Sequence, residues 1–238
     1  MDYNPEIRQQ LFEQFSQTVI ADGWREVSCS AIAEKAGVDM KLAFVEYQDR
    51  YAYVTELVRR IDRAMIDAYD REMGEEAARD RLFDVIMARF ETMQGYRALI
   101  LALHKSTRRD PLLSLHLLSL SRLTGEWFLD ISQISPAGLS GFARSKGVLL
   151  AYARAFATWM DDDSEDLAKT MAMLDKTLKA GEKAYQQAGK VVGGLSKMAD
   201  RCRSSRKSSK KADGSEMNET SVTDGPSVDD GSISPMPS

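Results

Sequence analysis

The sequence has little cysteine and no long apolar run, and each absence excludes a class of protein. Its two cysteines, Cys29 and Cys202, lie far apart and outside any CxxC motif, which excludes a disulfide framework and a cysteine zinc site. No apolar run approaches the roughly 18–20 residues that span a bilayer. The N-terminus carries neither a basic region nor an apolar stretch, so secretion is not expected. We therefore expect the protein in a reducing cytoplasm.

The sequence also lacks a recognisable catalytic or metal-binding set. Its two histidines, His104 and His116, are too far apart for an i, i+4 metal pair, and no HExxH, P-loop or GxSxG motif occurs. The acidic run Asp161-Asp162-Asp163 is interpreted as an exposed corner before a helix, because a Ca²⁺ or Mg²⁺ site needs further oxygen ligands. The sequence therefore predicts no enzyme, no metal site and no cofactor.

Helical periodicity dominates what is present. The 238 residues are 43% hydrophobic and 29% charged, an ordinary composition for a globular protein. Apolar residues recur at three-to-four spacing rather than alternating. Asn4 and Ser164 are expected to cap the first and last helices, and Gly23 to end the first. These patterns predict an all-α chain with helices over about 5–22, 29–36, 40–47, 50–73, 80–93, 96–106, 111–132, 141–160 and 164–187.

The composition divides the chain into three predicted regions: a head over 1–50, a body over 51–189 and a disordered tail over 190–238. Residues 190–211 hold eight basic residues against one acidic residue, a net charge of +7. Residues 212–238 hold acidic residues and no lysine or arginine. The basic half has a narrow apolar stripe, so it is either a solvated linker, a helix that contacts a membrane surface, or a non-specific contact to DNA.

Two short helices joined by a turn at Gly37 predict a helix-turn-helix. The stretch Gly23-Trp24-Arg25-Glu26-Val27-Ser28 resembles the "G-[YW]-x-x-[TV]-[ST]" segment of TetR-family (tetracycline-repressor type) regulators, and residues 31–38 resemble that family's second helix and turn. Phe44 and Tyr47, followed by Asp49-Arg50, lie where the family carries its "LY-x-[YH]-F-x-[SN]-K" ending. The resemblance covers about residues 5–60. It implies an all-α, TetR-like fold with a three-helix head and a helical body for ligand binding and dimerisation.

The resemblance also implies a function, that of a transcriptional regulator which binds operator DNA as a homodimer. In that family the third helix enters the major groove, which assigns base contacts to Asp39, Met40, Lys41 and Leu42. Phosphate contacts would come from Ser28, Ser30, Lys41 and Arg50, since hydroxyls and cations bind phosphate oxygens. Ser28 and Asp39 are also expected helix caps.

Some residues of the head depart from the family pattern. Phe44 lacks the hydroxyl of the usual tyrosine, and Glu46 places a carboxylate where it would repel the DNA backbone. Residues 1–60 hold seven basic and ten acidic residues, an unfavourable balance for binding a polyanion. Five residues of the head are expected to pack in its core whatever the function: Ile32, Ala33, Val38, Phe44 and Tyr47.

A second resemblance supports an alternative function. Residues 81–90 and 94–97 are similar to a segment of the lipid-binding accessory proteins of ubiquinone biosynthesis, which have a TetR-like fold. Trp159, Asp162 and Ser164 match the "W-x-x-D-x-S" start of their closing helices. This resemblance implies a non-enzymatic lipid-binding protein with a vestigial helix-turn-helix.

Leucine-rich helices predict a ligand cavity in the body. Apolar residues surround the helix over 112–128, so neighbouring helices or an apolar, lipid-like ligand must bury it on more than one side. Core packing alone is the alternative. The expected pocket residues are Leu99, Leu103, His104, Leu117, Leu120 and Trp127.

The last two helices resemble the pair through which TetR-family proteins dimerise, and the expected interface residues are Leu149, Phe156, Trp159, Leu167, Met171, Leu174 and Leu178.

Overall fold

A computed structural model describes residues 4–68, 76–135 and 137–187, and every regular element in these ranges is helical. The predicted all-α class is therefore confirmed. A single 3₁₀ turn at Trp24–Glu26 precedes the second helix. The helices are α1 (Pro5–Ala21), α2 (Cys29–Ala36), α3 (Met40–Glu46), α4 (Arg50–Ala68), α5 (Ala78–Gln94), α6 (Arg97–Thr107), α7 (Pro111–Ile131), α8 (Gly138–Met160) and α9 (168–187).

The helix-turn-helix forms where the capping residues predict it. Asn4 Oδ1 accepts hydrogen bonds from the backbone N–H groups of Glu6 and Ile7, and Ser28 Oγ accepts one from Ala31. Gly37 has a φ of +67°, a left-handed conformation that ends α2 and that glycine adopts without strain. Asp39 then caps α3 through Oδ1. The predicted caps Asn4, Ser28 and Asp39 are confirmed.

The chain divides into two units between residues 184 and 185. Helices α1 to α8 lie in the first unit, and the boundary between head and body at residue 50 stays a prediction. Within this unit α1 packs on α2, α3 and α6, while α4 packs on α5 and α7. The predicted tail over 190–238, with Cys202 and the membrane contact of residues 190–211, lies outside the described residues.

The core of the head is aromatic. Tyr53 stacks on Tyr47 with ring centroids 3.9 Å apart, and on Phe15 at 5.0 Å. Ile32 and Ala33 are buried, and Val38 is partly buried. Phe44 is not part of this core, because 61% of it is exposed. The expectation that Phe44 packs in the core was wrong: Ala43 and Glu46 occupy the inner face of the short α3.

Gly125 allows α7 and α8 to approach closely. A Cβ atom at this position would lie 2.7 Å from Cδ2 of Leu149, well inside normal contact distance. Leu149 therefore packs against α7 of its own chain. Four more of the expected dimer-interface residues, Trp159, Leu167, Leu174 and Leu178, are buried in the chain's own core. They are unavailable to a partner, and this part of the expected interface is corrected.

The acidic corner before α9 is a buried hydrogen-bonding site. Asp162 is fully buried, and its carboxylate accepts hydrogen bonds from Thr170 N at 2.8 Å, from Thr170 Oγ1 at 2.7 Å, and from the Ser164 N–H and hydroxyl. Leu167 adopts a φ of +54°, so α9 starts at residue 168 rather than at 164. Asp161 and Asp163 are exposed as expected, whereas the exposed position expected for Asp162 was wrong.

The pKa of Asp162 lies below its usual value. Burial alone would raise it, but the hydrogen bonds from Ser164 and Thr170 stabilise the charged form and outweigh that effect. A carboxyl whose pKa is lowered by folding stabilises the fold above its unfolded pKa of about 3.9, and the stabilisation is lost as pH falls.

We predict that Asp162→Asn lowers the free energy of unfolding by about 1–3 kcal/mol at neutral pH, because a buried acceptor is replaced by an amide. The deficit should shrink when urea unfolding is repeated toward pH 3, because the Asp162 carboxyl of the unfolded wild-type chain then binds a proton that the folded chain does not. Asp163→Asn is the matched control, since that side chain is 94% exposed. Equal losses in the two variants would contradict the assignment.

Candidate nucleic-acid interface and ligand cavity

The outer face of α3 forms the candidate nucleic-acid interface. Met40, Lys41, Leu42, Phe44 and Val45 are exposed on this helix, and Asp39 is exposed at its start. The buried inner face fixes the helix to the head, so its outer side chains are held at the surface. The structure therefore brings the four expected base-contacting residues together on one surface.

The expected phosphate contacts divide into two groups. Ser28 and Ser30 are exposed at the start of α2, with their hydroxyl oxygens 3.1 Å apart. Arg50 does not join them. Its Nη2 lies 3.2 Å from Asp110 Oδ2, and its guanidinium lies over the ring of Trp24, 4.7 Å from the centroid. Arg50 is thus engaged between the head and the body, which corrects its expected place on the DNA surface.

Glu46 faces the interior of the head. It is buried, and its Oε1 accepts a hydrogen bond from the Asn4 backbone N–H at 2.7 Å. Its Oε2 lies 3.6 Å from Nη1 of Arg8, which also donates to the Glu46 carbonyl. The expectation that this carboxylate repels a DNA backbone was wrong, because the charge points inward and lies next to a cation.

Few cations of the head are free of ion pairs. Arg25 and Lys41 are exposed and form no ion pair with any described residue, whereas Lys35 pairs with Asp22 at 2.8 Å. Within the described ranges, Lys41 is therefore an unpaired cation on the outer face of α3, whereas Arg25 lies beside Lys105, Arg108 and Arg109.

A cluster of Trp24, Arg50 and Asp110, here called the Asp110 cluster, joins the head to the body. Asp110 caps α7 by accepting the Leu113 N–H at 3.0 Å, and it also accepts the Trp24 indole N–H at 2.7 Å. The Leu113 N–H, the Trp24 indole and the nearby Arg50 charge lower the pKa of Asp110. Asp110 immediately precedes the helix predicted from residue 111, and its two partners lie 86 and 60 positions away in the sequence, where no local pattern indicates them.

Helices α4 to α8 enclose a cavity of about 330 Å³. Three of the expected pocket residues, Leu103, His104 and Leu117, are in its wall. Leu99 and Leu120 are buried but do not line it, and Trp127 is half exposed on α7, so its expected place in the pocket was wrong. Phe156, expected at a dimer interface, is instead a wall residue of the cavity.

The sequence analysis did not predict two polar residues of the cavity wall. Arg89 of α5 and Tyr152 of α8 both line the cavity, and Arg89 pairs with Asp62 of α4 at 2.9 Å. Asp62 also accepts a hydrogen bond from Thr124 of α7. The sequence contains a signal for Arg89: it lies three residues after Ile86 and four before Met93, on the apolar face of α5.

The leucines of α7 are not all buried. Leu112, Leu115, Leu118 and Leu123 are exposed, and of these Leu118 also borders the cavity. Neither core packing nor a ligand accounts for the exposed set.

In the described ranges, no group of three or more histidine, cysteine, aspartate or glutamate side chains is arranged to hold a metal ion. No helix there has the length and apolar character to cross a bilayer.

Comparison with solved structures identifies the fold. The TetR transcriptional regulator from Nitrosomonas europaea has a TM-score of 0.60 at 17% identity, covering 74% of this chain and 98% of that one. The fatty acid degradation regulator FadR from Bacillus halodurans has a TM-score of 0.51 at 15% identity, covering 75% and 97%. Neither a protein-family model nor a curated protein matches the sequence. The chain has a TetR-like fold.

We predict that Trp24→Phe lowers the free energy of unfolding by about 1–3 kcal/mol, because Asp110 loses a donor while a ring remains beneath Arg50. Trp127→Phe, at a half-exposed position on α7, is the control and should stay within about 0.5 kcal/mol of wild type. Urea unfolding followed by circular dichroism measures both. A Trp24→Phe variant as stable as the control would rule out an energetic role for the Asp110 cluster.

Proposed function

We propose that the chain is a transcriptional regulator that binds operator DNA as a homodimer through α3 and responds to a small apolar ligand in the cavity. The observation that supports DNA binding best is α3 itself, a short helix after a tight turn with its consecutive outer residues exposed. Under this proposal the protein is not an enzyme and works in the cytoplasm.

The surface of α3 has chemistry that suits base edges. Lys41 can donate to the O6 and N7 acceptors of guanine, while Met40 and Leu42 can contact the methyl group of thymine. Ser28, Ser30 and Arg25 are the proposed phosphate contacts. Arg50 is left out of the set because it is held by Asp110.

The proposed dimer surface differs from the expected one. Phe142 and Leu150 are exposed on α8, and Met171 is exposed on α9. Large exposed apolar side chains favour a protein contact. A two-fold dimer through these residues would present two copies of α3 to half-sites about one helical turn, or roughly 34 Å, apart.

A chain of polar contacts supports coupling between the cavity and α3. Arg89 lines the cavity and pairs with Asp62 in the middle of α4. The same helix begins at Arg50, four residues after α3 ends, and its first turn is held by Asp110. A ligand that changes the position of Arg89 would therefore act on α4, and through it on the DNA-contacting surface.

The second candidate is the lipid-binding accessory protein of ubiquinone biosynthesis. The exposed leucines of α7 favour it, since Leu112, Leu115 and Leu118 could contact a lipid surface. The proposed membrane contact of residues 190–211 would add to it. The two candidates differ in whether the head selects a DNA sequence.

We predict that the full-length chain enriches a palindrome from a random duplex pool. Lys41→Ala should weaken binding to it and reduce the slope of log K against log salt by about 1, because one phosphate or base contact from a cation is lost. Lys35→Ala, in which the lost cation is already paired, should leave the slope unchanged. Failure to enrich any palindrome, or binding that disappears with residues 190–238, would favour the accessory-protein candidate.

We predict a dimer at micromolar concentration in size-exclusion chromatography with light scattering. Leu150→Glu should elute as a monomer, because the carboxylate would be buried at the proposed contact. Ile20→Glu, which also charges an exposed apolar position but on α1, should remain dimeric. A monomeric wild type would overturn the dimer, and a dimeric Leu150→Glu would place the contact elsewhere.

A further inference from the structure

The guanidinium of Arg89 has hydrogen-bonding capacity that the protein does not use. Arg89 is 4% exposed; its Nε donates to Asp62 at 2.9 Å, and its Nη1 donates to Tyr152 Oη at 2.8 Å and to the Met93 sulfur at 2.9 Å. Its Nη2 has no hydrogen-bond partner among the described residues. Because arginine stays protonated in proteins, the two Nη2 hydrogens are permanent donors in the wall of the cavity.

Tyr152 provides a second donor beside it. The Tyr152 oxygen accepts from Arg89, while its own hydrogen reaches, among the described residues, only the Met93 sulfur, at 3.7 Å. Sulfur is a weak acceptor, so an oxygen in the cavity would compete well for this hydrogen. Burial raises the pKa of Tyr152, so the phenol keeps its proton at neutral pH.

Three hydroxyl hydrogens of the wall are already used within the protein, and the imidazole of His104 remains as a further polar group of the wall. The hydroxyls of Ser114, Ser121 and Thr107 each donate to a backbone carbonyl, Ser121 to Leu117 at 2.9 Å and Thr107 to His104 at 2.7 Å. Both carboxylate oxygens of Asp62 are occupied, one by Arg89 and one by Thr124. Arg89 and Tyr152 therefore bring donors to the cavity, and the Asp62 carboxylate that pairs with Arg89 is already occupied.

Resting on the ligand response proposed above, we infer that the ligand is an apolar molecule with an acceptor oxygen at one end, a carboxylate or a carbonyl, bound by Arg89 Nη2 and Tyr152 Oη. The remaining wall is dominated by apolar side chains such as Leu57, Ile61 and Leu103, which suit a hydrocarbon chain or ring. At roughly 30 Å³ per water-sized group, the volume of about 330 Å³ holds about eleven non-hydrogen atoms.

The same geometry disfavours a cationic ligand. An ammonium group next to Arg89 would meet hydrogen-bond donors, and the Asp62 carboxylate already accepts from Arg89 and Thr124. A ligand without an acceptor would displace water from Nη2 and leave a buried donor unsatisfied. The cavity should therefore select for the head group as well as for the apolar part.

Isothermal titration calorimetry of the DNA-free, full-length protein tests the inference with three probes of similar size: nonanoate, methyl octanoate and decylamine. At least one acceptor probe should bind ten times or more tightly than decylamine. Preference for nonanoate assigns a carboxylate head, and equal binding of the ester assigns a carbonyl. Decylamine binding as tightly as the acceptor probes, or no binding of any probe, would overturn the inference.

Tyr152→Phe tests the site with little change of shape, and it should weaken the preferred acceptor probe by about tenfold, the effect of one hydrogen bond. Tyr53→Phe, which removes a buried hydroxyl from the head instead, should bind as wild type does. Arg89→Gln is combined with Asp62→Asn so that no buried charge is left alone, and this pair should abolish the preference over decylamine. Wild-type preference in both cavity variants would contradict the site.

These experiments distinguish a failure of the acceptor inference from a failure of the proposed regulator function. A palindrome enriched by a protein that binds decylamine as tightly as nonanoate would overturn the acceptor inference alone. Selective binding of an acceptor probe without any DNA selection would support the cavity chemistry and overturn the regulator.

Discussion

The carboxylate of Asp110 is the contact on which the relation between head and body depends. It accepts hydrogen bonds from the Leu113 N–H in the first turn of α7 and from the indole of Trp24 at the start of the 3₁₀ turn, and it pairs with the guanidinium of Arg50 at the start of α4. Two further contacts join α4 to α7 along their length, Thr55 to His116 and Asp62 to Thr124. Because these contacts are spread over four turns, α4 and α7 behave as one element, and α3 follows that element through a short connection.

Sequence patterns predicted local structure well because the causes are local. The caps at Asn4, Ser28 and Asp39 act within three residues, and the left-handed conformation of Gly37 belongs to one residue. The bounds of α2 and α6 follow from such signals to within a residue or two. The start of α9 was missed because the conformation of Leu167 depends on hydrogen bonds to a carboxylate several residues earlier.

The sequence patterns did not predict which residues far apart in the chain contact each other. Nothing in the order of residues shows that Glu46 meets Asn4 and Arg8, so its charge was assigned to the surface. Apolar periodicity shows that Trp159 and Leu174 are buried, but not whether their own chain or a partner buries them. The same limit applied to the cavity: the position of Arg89 on the apolar face of α5 can be seen in the sequence, but its partners Asp62 and Tyr152 cannot.

Gly125 has a mechanical consequence for the cavity. Because its missing side chain lets α8 rest against α7 at Leu149, those two helices form a stiff wall, and Tyr152 stands one turn further along it. The opposite side includes α6, which has no comparable close approach at a glycine in the described residues. Expansion around a larger ligand would therefore displace α6, which also packs on α1, while α7 and α8 stay in place. The size of ligand that the cavity accepts and the movement passed on toward α3 would then both depend on how far this wall moves.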